Sequence, residues 1–174
     1  DINQKNENEI FNSVPIDFYG LSKNLISKSL MSFDKGINLR IFGCFYHNEL
    51  FTRFIRNNIN NYIKRKEIVI HQDKYMDYIY FDDLFETVMY YIYNQPTSMT
   101  DVNLSYTKKY KLSDISNIIN NLDDYKVNIL IEDKSKGLSY TGSSTSLSNL
   151  NLNLKGLENG IREMYERYKH NILH

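Results

Sequence analysis

The chain has 174 residues, enough for one domain with a real core, and its 21 Lys and Arg residues balance 21 Asp and Glu residues. That balance leaves no long-range field to draw in nucleic acid or an anionic membrane. The single cysteine, Cys44, excludes an internal disulfide framework, and no signal peptide or bilayer-length apolar run is evident, so a soluble cytoplasmic protein is expected. The chain opens on Asp1, not Met, which predicts a fragment or a processed product. Residues 1–14 are polar and unpatterned and predict a loop. Pro15 and Asp17 then open a helix whose apolar positions Leu21, Leu25, Ile26, Leu30 and Met31 run to about Phe33. Gly36 ends it, and Ile37 to Gly43 read as a strand. A helical period returns from Leu50 to Ile63. Short strands follow at Ile68–Ile70 and Tyr78–Phe81. Asp82 or Asp83 is placed to cap the next helix, with Leu84, Val88, Met89 and Ile92 on one face.

Strand 102–106, helix 112–122 and strand 127–131 come next, then a loop over 133–153 and a last amphipathic helix over 154–168. The alternation predicts an α/β domain. The short Asn runs (Asn57–Asn58, Asn60–Asn61, Asn120–Asn121) accompany a general richness in Asn, Ile, Lys and Tyr and read as compositional bias, not as a prion-like tract. An open doubly wound sheet normally starts with a glycine-rich strand-turn-helix that holds a dinucleotide pyrophosphate. No GxGxxG or GxxGxxG occurs here, which predicts a sheet incomplete at its front.

Tyr19 and Lys23 stand one turn apart on one face of the first helix. An isolated phenol titrates near ~10, and an ammonium one turn away favours its phenolate, which equips such a pair to move a proton to or from a hydroxyl or carbonyl. The flanks add to this. Tyr19-Gly20-Leu21-Ser22-Lys23 resembles the Tyr-Gly-x-Ser-Lys signature of the extended short-chain dehydrogenase/reductases, which include nucleotide-sugar epimerases, dehydratases and GDP-fucose synthase. Asn38-Leu39-Arg40-Ile41-Phe42-Gly43 resembles that family's strand after the catalytic helix, and Met76 to Leu84 its Arg-Asp-Phe-x-Tyr-Val-Asp-Asp-Leu segment. Asn103 with Leu112 to Ile115, and Gly156 to Ile161, are similar to later family pieces in the same order.

The resemblance implies the trailing part of a Rossmann-type doubly wound parallel sheet with a small mixed α/β substrate lobe, the dinucleotide-binding half being missing. Residues 1–45 would end the Rossmann-type domain, and 46–174 would be mainly substrate lobe, with some elements returning to the main sheet. It further implies NAD or NADP as cofactor, a nucleotide-sugar substrate and a homodimer packed through the catalytic helix. Tyr19 would be the general acid/base, and Lys23 would support it and hold the cofactor ribose. Ile41 and Phe42 would pass the nicotinamide, though strand core is the plain reading of their side chains. Gly43, His47 and Arg53 are the substrate-side candidates.

Departures are visible. The family's Asn at the strand end is Gly43, and the arginine that pairs with the nucleotide diphosphate is Met76, leaving Arg53, Arg56 or Arg65 to replace it. The family's upstream Ser or Thr would precede Asp1, since Ser13 stands too close to the helix to replace it. Bland readings stand beside the sharper ones: Asp82–Asp83 as cap and dipole partner, His47 as a loop histidine, Cys44 as a buried structural thiol, and Tyr75–Tyr93 as core rather than a base-stacking surface. His47 and His71 give no metal pattern. The alternatives to the enzyme reading are a non-catalytic remnant that binds a sugar nucleotide or a protein, and a reductase of small carbonyls.

Overall fold

A computed structural model of the chain describes residues 4–12 and 14–172; Ser13 lies outside them. In chain order the elements are β1 (Gln4–Lys5), a 3-10 turn (Glu7–Phe11), α1 (Phe18–Leu30), β2 (Gly36–Ile41), β3 (Cys44–Phe45), α2 (Phe54–Ile63) and β4 (Ile68–Gln72). There follow β5 (Ile79–Tyr80), α3 (Phe81–Tyr93), β6 (Met99–Leu104), α4 (Leu112–Asn120), β7 (Ile129–Asp133), β8 (Thr141–Gly142), the one-turn α5 (Thr145–Ser148) and α6 (Gly156–Ile172). The strands form four parallel pairs, β1 with β8, β2 with β6, β3 with β5, and β4 with β7. The α/β class is as expected.

The longest ladder runs in register from Gly36 opposite Met99 to Ile41 opposite Leu104. This register draws β6 forward of its expected start at 102 and ends β2 at Ile41 rather than Gly43. Two core clusters lie beside the ladders. The larger is built from Ile55, Ile59 and Tyr62 of α2, Ile115 and Ile119 of α4, Ile161 and Met164 of α6, and Ile68 and Ile70 of β4. The smaller joins Ile79, Val102, Leu104 and Leu147. Among the described residues no helix is long and apolar enough to cross a membrane.

Several expectations are corrected by partners distant in sequence. The 1–14 and 133–153 stretches are not plain loops, because β1 and β8 pair with each other. Lys5 O accepts from Ser143 N at 2.8 Å and from Asn103 Nδ2 at 2.9 Å. Helix α2 starts at Phe54, not Leu50: Arg53 is extended (φ −71°, ψ 140°), and Leu50 and Phe51 are exposed.

Two of the asparagines read as bias act as peptide mimics. Buried Asn58 accepts from Val69 N at 2.9 Å and donates to Val69 O at 3.2 Å. Asn120 does the same for Val127 at 2.9 and 3.0 Å, so α4 stops there and β7 begins only at Ile129. Each gives backbone groups beside a ladder the partner they would otherwise lack.

Neither Asp82 nor Asp83 caps α3, whose N-cap is Tyr80; both lie in its first turn. The buried stripe of α3 is Asp83 and Thr87, while Ile92 is 57% exposed. The cause is the Asp83 carboxylate, which accepts from Lys155 N at 2.8 Å and Gly156 N at 2.9 Å and so caps α6 instead.

Candidate active site

Helix α1 begins where its sequence tells it to. Asp17 Oδ1 accepts from Gly20 N at 2.7 Å, an N-cap of the ordinary kind. Gly20 must stay glycine for this turn, because a Cβ there would lie 2.8 Å from Pro15 Cβ and 3.1 Å from Asp17 Oδ2. The glycine of the Tyr-Gly-x-Ser-Lys stretch therefore has a local steric cause. One helical turn separates Tyr19 from Lys23, and the Lys23 ammonium lies 5.6 Å from the centre of the Tyr19 ring. Tyr19 is 74% exposed, so its phenol is open to a ligand.

A cleft of about 700 Å³ lies against this face. Its lining includes Tyr19, Lys23 and Asn24 of α1, Ile41 and Phe42 at the end of β2, and Tyr140. The four residues named from the sequence as catalytic or cofactor-side thus meet in one depression. Ile41 is 46% exposed, which departs from the plain core reading of its side chain.

Tyr140 had no signal in the sequence. It sits in the polar 133–153 stretch and reaches the cleft because its N–H donates to Tyr75 O at 2.9 Å and its carbonyl accepts from Asp77 N at 3.1 Å. Its ring meets Phe42 edge-on at 5.0 Å. Burial, and then the neighbouring Tyr19, push its phenol upward.

The substrate-side candidates do not line this cleft. Gly43 is pressed against Tyr78, where a Cβ would come within 2.7 Å of the ring. His47 packs against Tyr46, and its carbonyl accepts from Tyr168. Arg53 is exposed at the start of α2. Of the other arginines, Arg56 is stacked 3.7 Å from the centre of the Phe51 ring, and Arg65 lies 4.4 Å from that of Tyr125 at the far end of α2. Met76, at the family's arginine position, packs partly buried against the larger core and bridges to Tyr140.

Other reactive residues have structural surroundings. Burial pushes the half-buried Cys44 thiol up to about 11, with the Glu49 carboxylate adding to it, so no thiolate nucleophile is available near neutral pH. His71 is exposed and pairs with Glu132 at 3.0 Å. Among the described residues no group of His, Cys, Asp and Glu is arranged to hold a metal ion.

No protein-family model and no curated protein matches the chain. Its likeness is to solved structures. It is similar to a UDP-glucuronic acid 4-epimerase from Bacillus cereus, solved with UDP-glucuronic acid and NAD, at 14% identity and a TM-score of 0.70. That match covers 92% of this chain and 55% of the other. It is similar to a UDP-N-acetylglucosamine 4-epimerase from Methanobrevibacter ruminantium M1, solved with UDP-N-acetylmuramic acid, at 19% identity and a TM-score of 0.63, over 88% and 53% of the two chains. A third likeness is to TunA, an NAD-dependent NDP-hexosamine 5,6-dehydratase involved in tunicamycin biosynthesis, at 15% identity and a TM-score of 0.64, over 87% and 51%. The chain therefore has the α/β fold of these solved sugar-nucleotide epimerases and dehydratase and spans about half the length of the structures it matches.

Proposed function

We propose that the chain carries the catalytic tyrosine-lysine pair and the substrate lobe of an NAD(P)-dependent enzyme that epimerises, dehydrates or reduces a nucleotide-activated sugar in the cytoplasm. One observation carries the proposal: Tyr19, Lys23, Ile41 and Phe42, separated in sequence, line one cleft beside an exposed phenol. The fold shared with solved sugar-nucleotide epimerases and a dehydratase supports it.

The residues present fit the nicotinamide end of such a cofactor. Ile41 and Phe42 offer an apolar wall to the ring, and Lys23 offers ammonium donors to a ribose hydroxyl. A pyrophosphate cradle would have to come from a glycine-rich turn that the 174 residues do not contain. When bound, the cofactor would supply or accept hydride. Tyr19 would hold the mobile proton on its phenol oxygen, taking it from a sugar hydroxyl or giving it to a carbonyl. Lys23 would stabilise negative charge on that oxygen while the proton is away. Tyr140 and Phe42 would close the side of the cleft and keep water from it. Association of two copies through α1 belongs to the same reading, since Phe18 and Leu25, outside the cleft, are more than half exposed.

The test is Tyr19→Phe in the polypeptide as the cell makes it, assayed with a panel of UDP-, GDP-, CDP- and dTDP-sugars and NAD(P)(H). Turnover should drop by about 100- to 10,000-fold with the circular dichroism spectrum unchanged. Activity within about tenfold of the parent would sink the assignment. Met76, packed against the core at the family's arginine position, favours a second reading, a remnant that binds sugar nucleotides without redox chemistry. Tight sugar-nucleotide binding with no nicotinamide-dependent turnover, in parent and variant alike, would select it.

A further inference from the structure

Behind the aromatic wall of the cleft lies a buried ion pair that the proposed chemistry does not use. Lys109 Nζ donates to Asp77 Oδ2 at 2.9 Å, to the Gly142 carbonyl at 2.7 Å and to Ser105 Oγ. The Lys109 and Asp77 side chains are only 4% and 6% exposed. Asp77 Oδ2 also accepts from Gly142 N at 2.8 Å and from Ser105 Oγ. Both backbone polar groups of Gly142 are thereby held by one pair of charges.

Stability is a poor reason for the pair. Two desolvated ions tend to gain little over apolar side chains of similar volume, so what they offer is a fixed geometry. The geometry leads to the cleft. Gly142 is in direct contact with Phe42, whose ring carbons would lie 2.5 Å from any Cβ at that position. Two residues earlier, the Asp77 N–H holds the Tyr140 carbonyl at 3.1 Å. Asp77 thus grips residues 140–142 at both ends, by backbone at Tyr140 and by carboxylate at Gly142, and Lys109 locks the carboxylate.

We propose that Asp77 and Lys109 are positioning residues that fix residues 140–142 so that the Phe42 and Tyr140 rings form the wall facing Tyr19 and Lys23. The purpose of that wall rests on the enzyme reading, but the clamp is testable without it. The chain would carry 4-fluorophenylalanine at 42 or 3-fluorotyrosine at 140, with 3-fluorotyrosine at 125 as a remote reference, where Tyr125 stacks on Tyr62 in the larger core. In Lys109→Met the fluorine resonances at 42 and 140 should shift by more than a linewidth and broaden, with that at 125 unchanged. Resonances at 42 and 140 that stay in place overturn the proposal, and so does an equal change at all three sites.

If Lys109→Met does not fold, the same spectra are read on Asp77→Asn/Lys109→Met, which leaves no unpaired buried charge. Failure of that double variant to fold assigns the pair to folding and overturns the positioning role. Tyr19→Phe should leave the resonances at 42 and 140 as sharp as in the parent whatever its turnover, so the clamp and the reaction assignment fail by different measurements.

Discussion

Glu49 is 6% exposed, and its Oε1 has no hydrogen-bond partner. Burial holds its carboxyl up at about 7, while Arg53 and Arg56 pull the other way. In the unfolded chain the same group would lose its proton near ~4.3. Between those values the folded state holds a proton that the unfolded state has released, so stability is fully present below the lower value and declines as pH rises through the upper one. The expected contribution is on the order of 1–3 kcal/mol. Urea midpoints at pH 5 and pH 7.5 should therefore fall for the parent and fall distinctly less for Glu49→Gln. An equal fall in both proteins would show that Glu49 is ionised in the fold. The neighbouring thiol belongs to the same pocket of low polarity, since Cys44 is raised first by burial and next by Glu49.

The most consequential side chain for joining elements is Asp83, 2% exposed in the first turn of α3. It ties that helix to the start of α6 through Lys155 N and Gly156 N, and it accepts from Tyr106, whose hydroxyl in turn accepts from Tyr80 N at 3.1 Å. Asp83→Ala strands two backbone donors and a phenol, so unfolding free energy should fall by about 2–4 kcal/mol. Asp82→Ala removes only an exposed ion pair to Lys155 at 2.8 Å and should cost under about 1 kcal/mol. Equal losses from the two alanines in thermal melts would contradict the capping role. The contrast also shows what a sequence can reveal about such a chain. The pairing of Tyr19 with Lys23 was legible because one-turn spacing is local, and so was the start of α1 at Asp17. The choice between Asp82 and Asp83 was not, because the backbone donors that Asp83 caps lie beyond residue 150. Tyr140 was hidden for the same reason: β8 has two residues, and its partner β1 lies near the other end of the chain. Asn58 and Asn120 were misread because a composition bias cannot tell an asparagine in solvent from one bonded to a strand.

Across the whole molecule the hydrophobic core and the proposed site rest on unequal supports. Among the described residues the larger core holds 15 buried side chains and the smaller holds four. Helix α1, which carries Tyr19 and Lys23, buries only Asn24, and Leu25 and Ile26 on it are more than half exposed. Strand β2 has a single partner, β6, among the described residues. Local opening free energy follows buried apolar contact, so α1 and β2 should open long before α2, α4, α6 and the β4–β7 pair. Native-state hydrogen exchange on the chain alone should give the α2, α4 and β4 amides one common, slow limit. The α1 amides should exchange faster by a factor of about 100 or more, a difference of roughly 3 kcal/mol. Uniform protection would mean that α1 is held by contacts stronger than its burial indicates. If α1 is the weak element, anything that covers its apolar face stabilises it by mass action in proportion to binding, whether preceding chain, cofactor or a second copy. Helix α1, with Tyr19 and Lys23, would then become rigid only on assembly, and protection of its amides would report assembly directly.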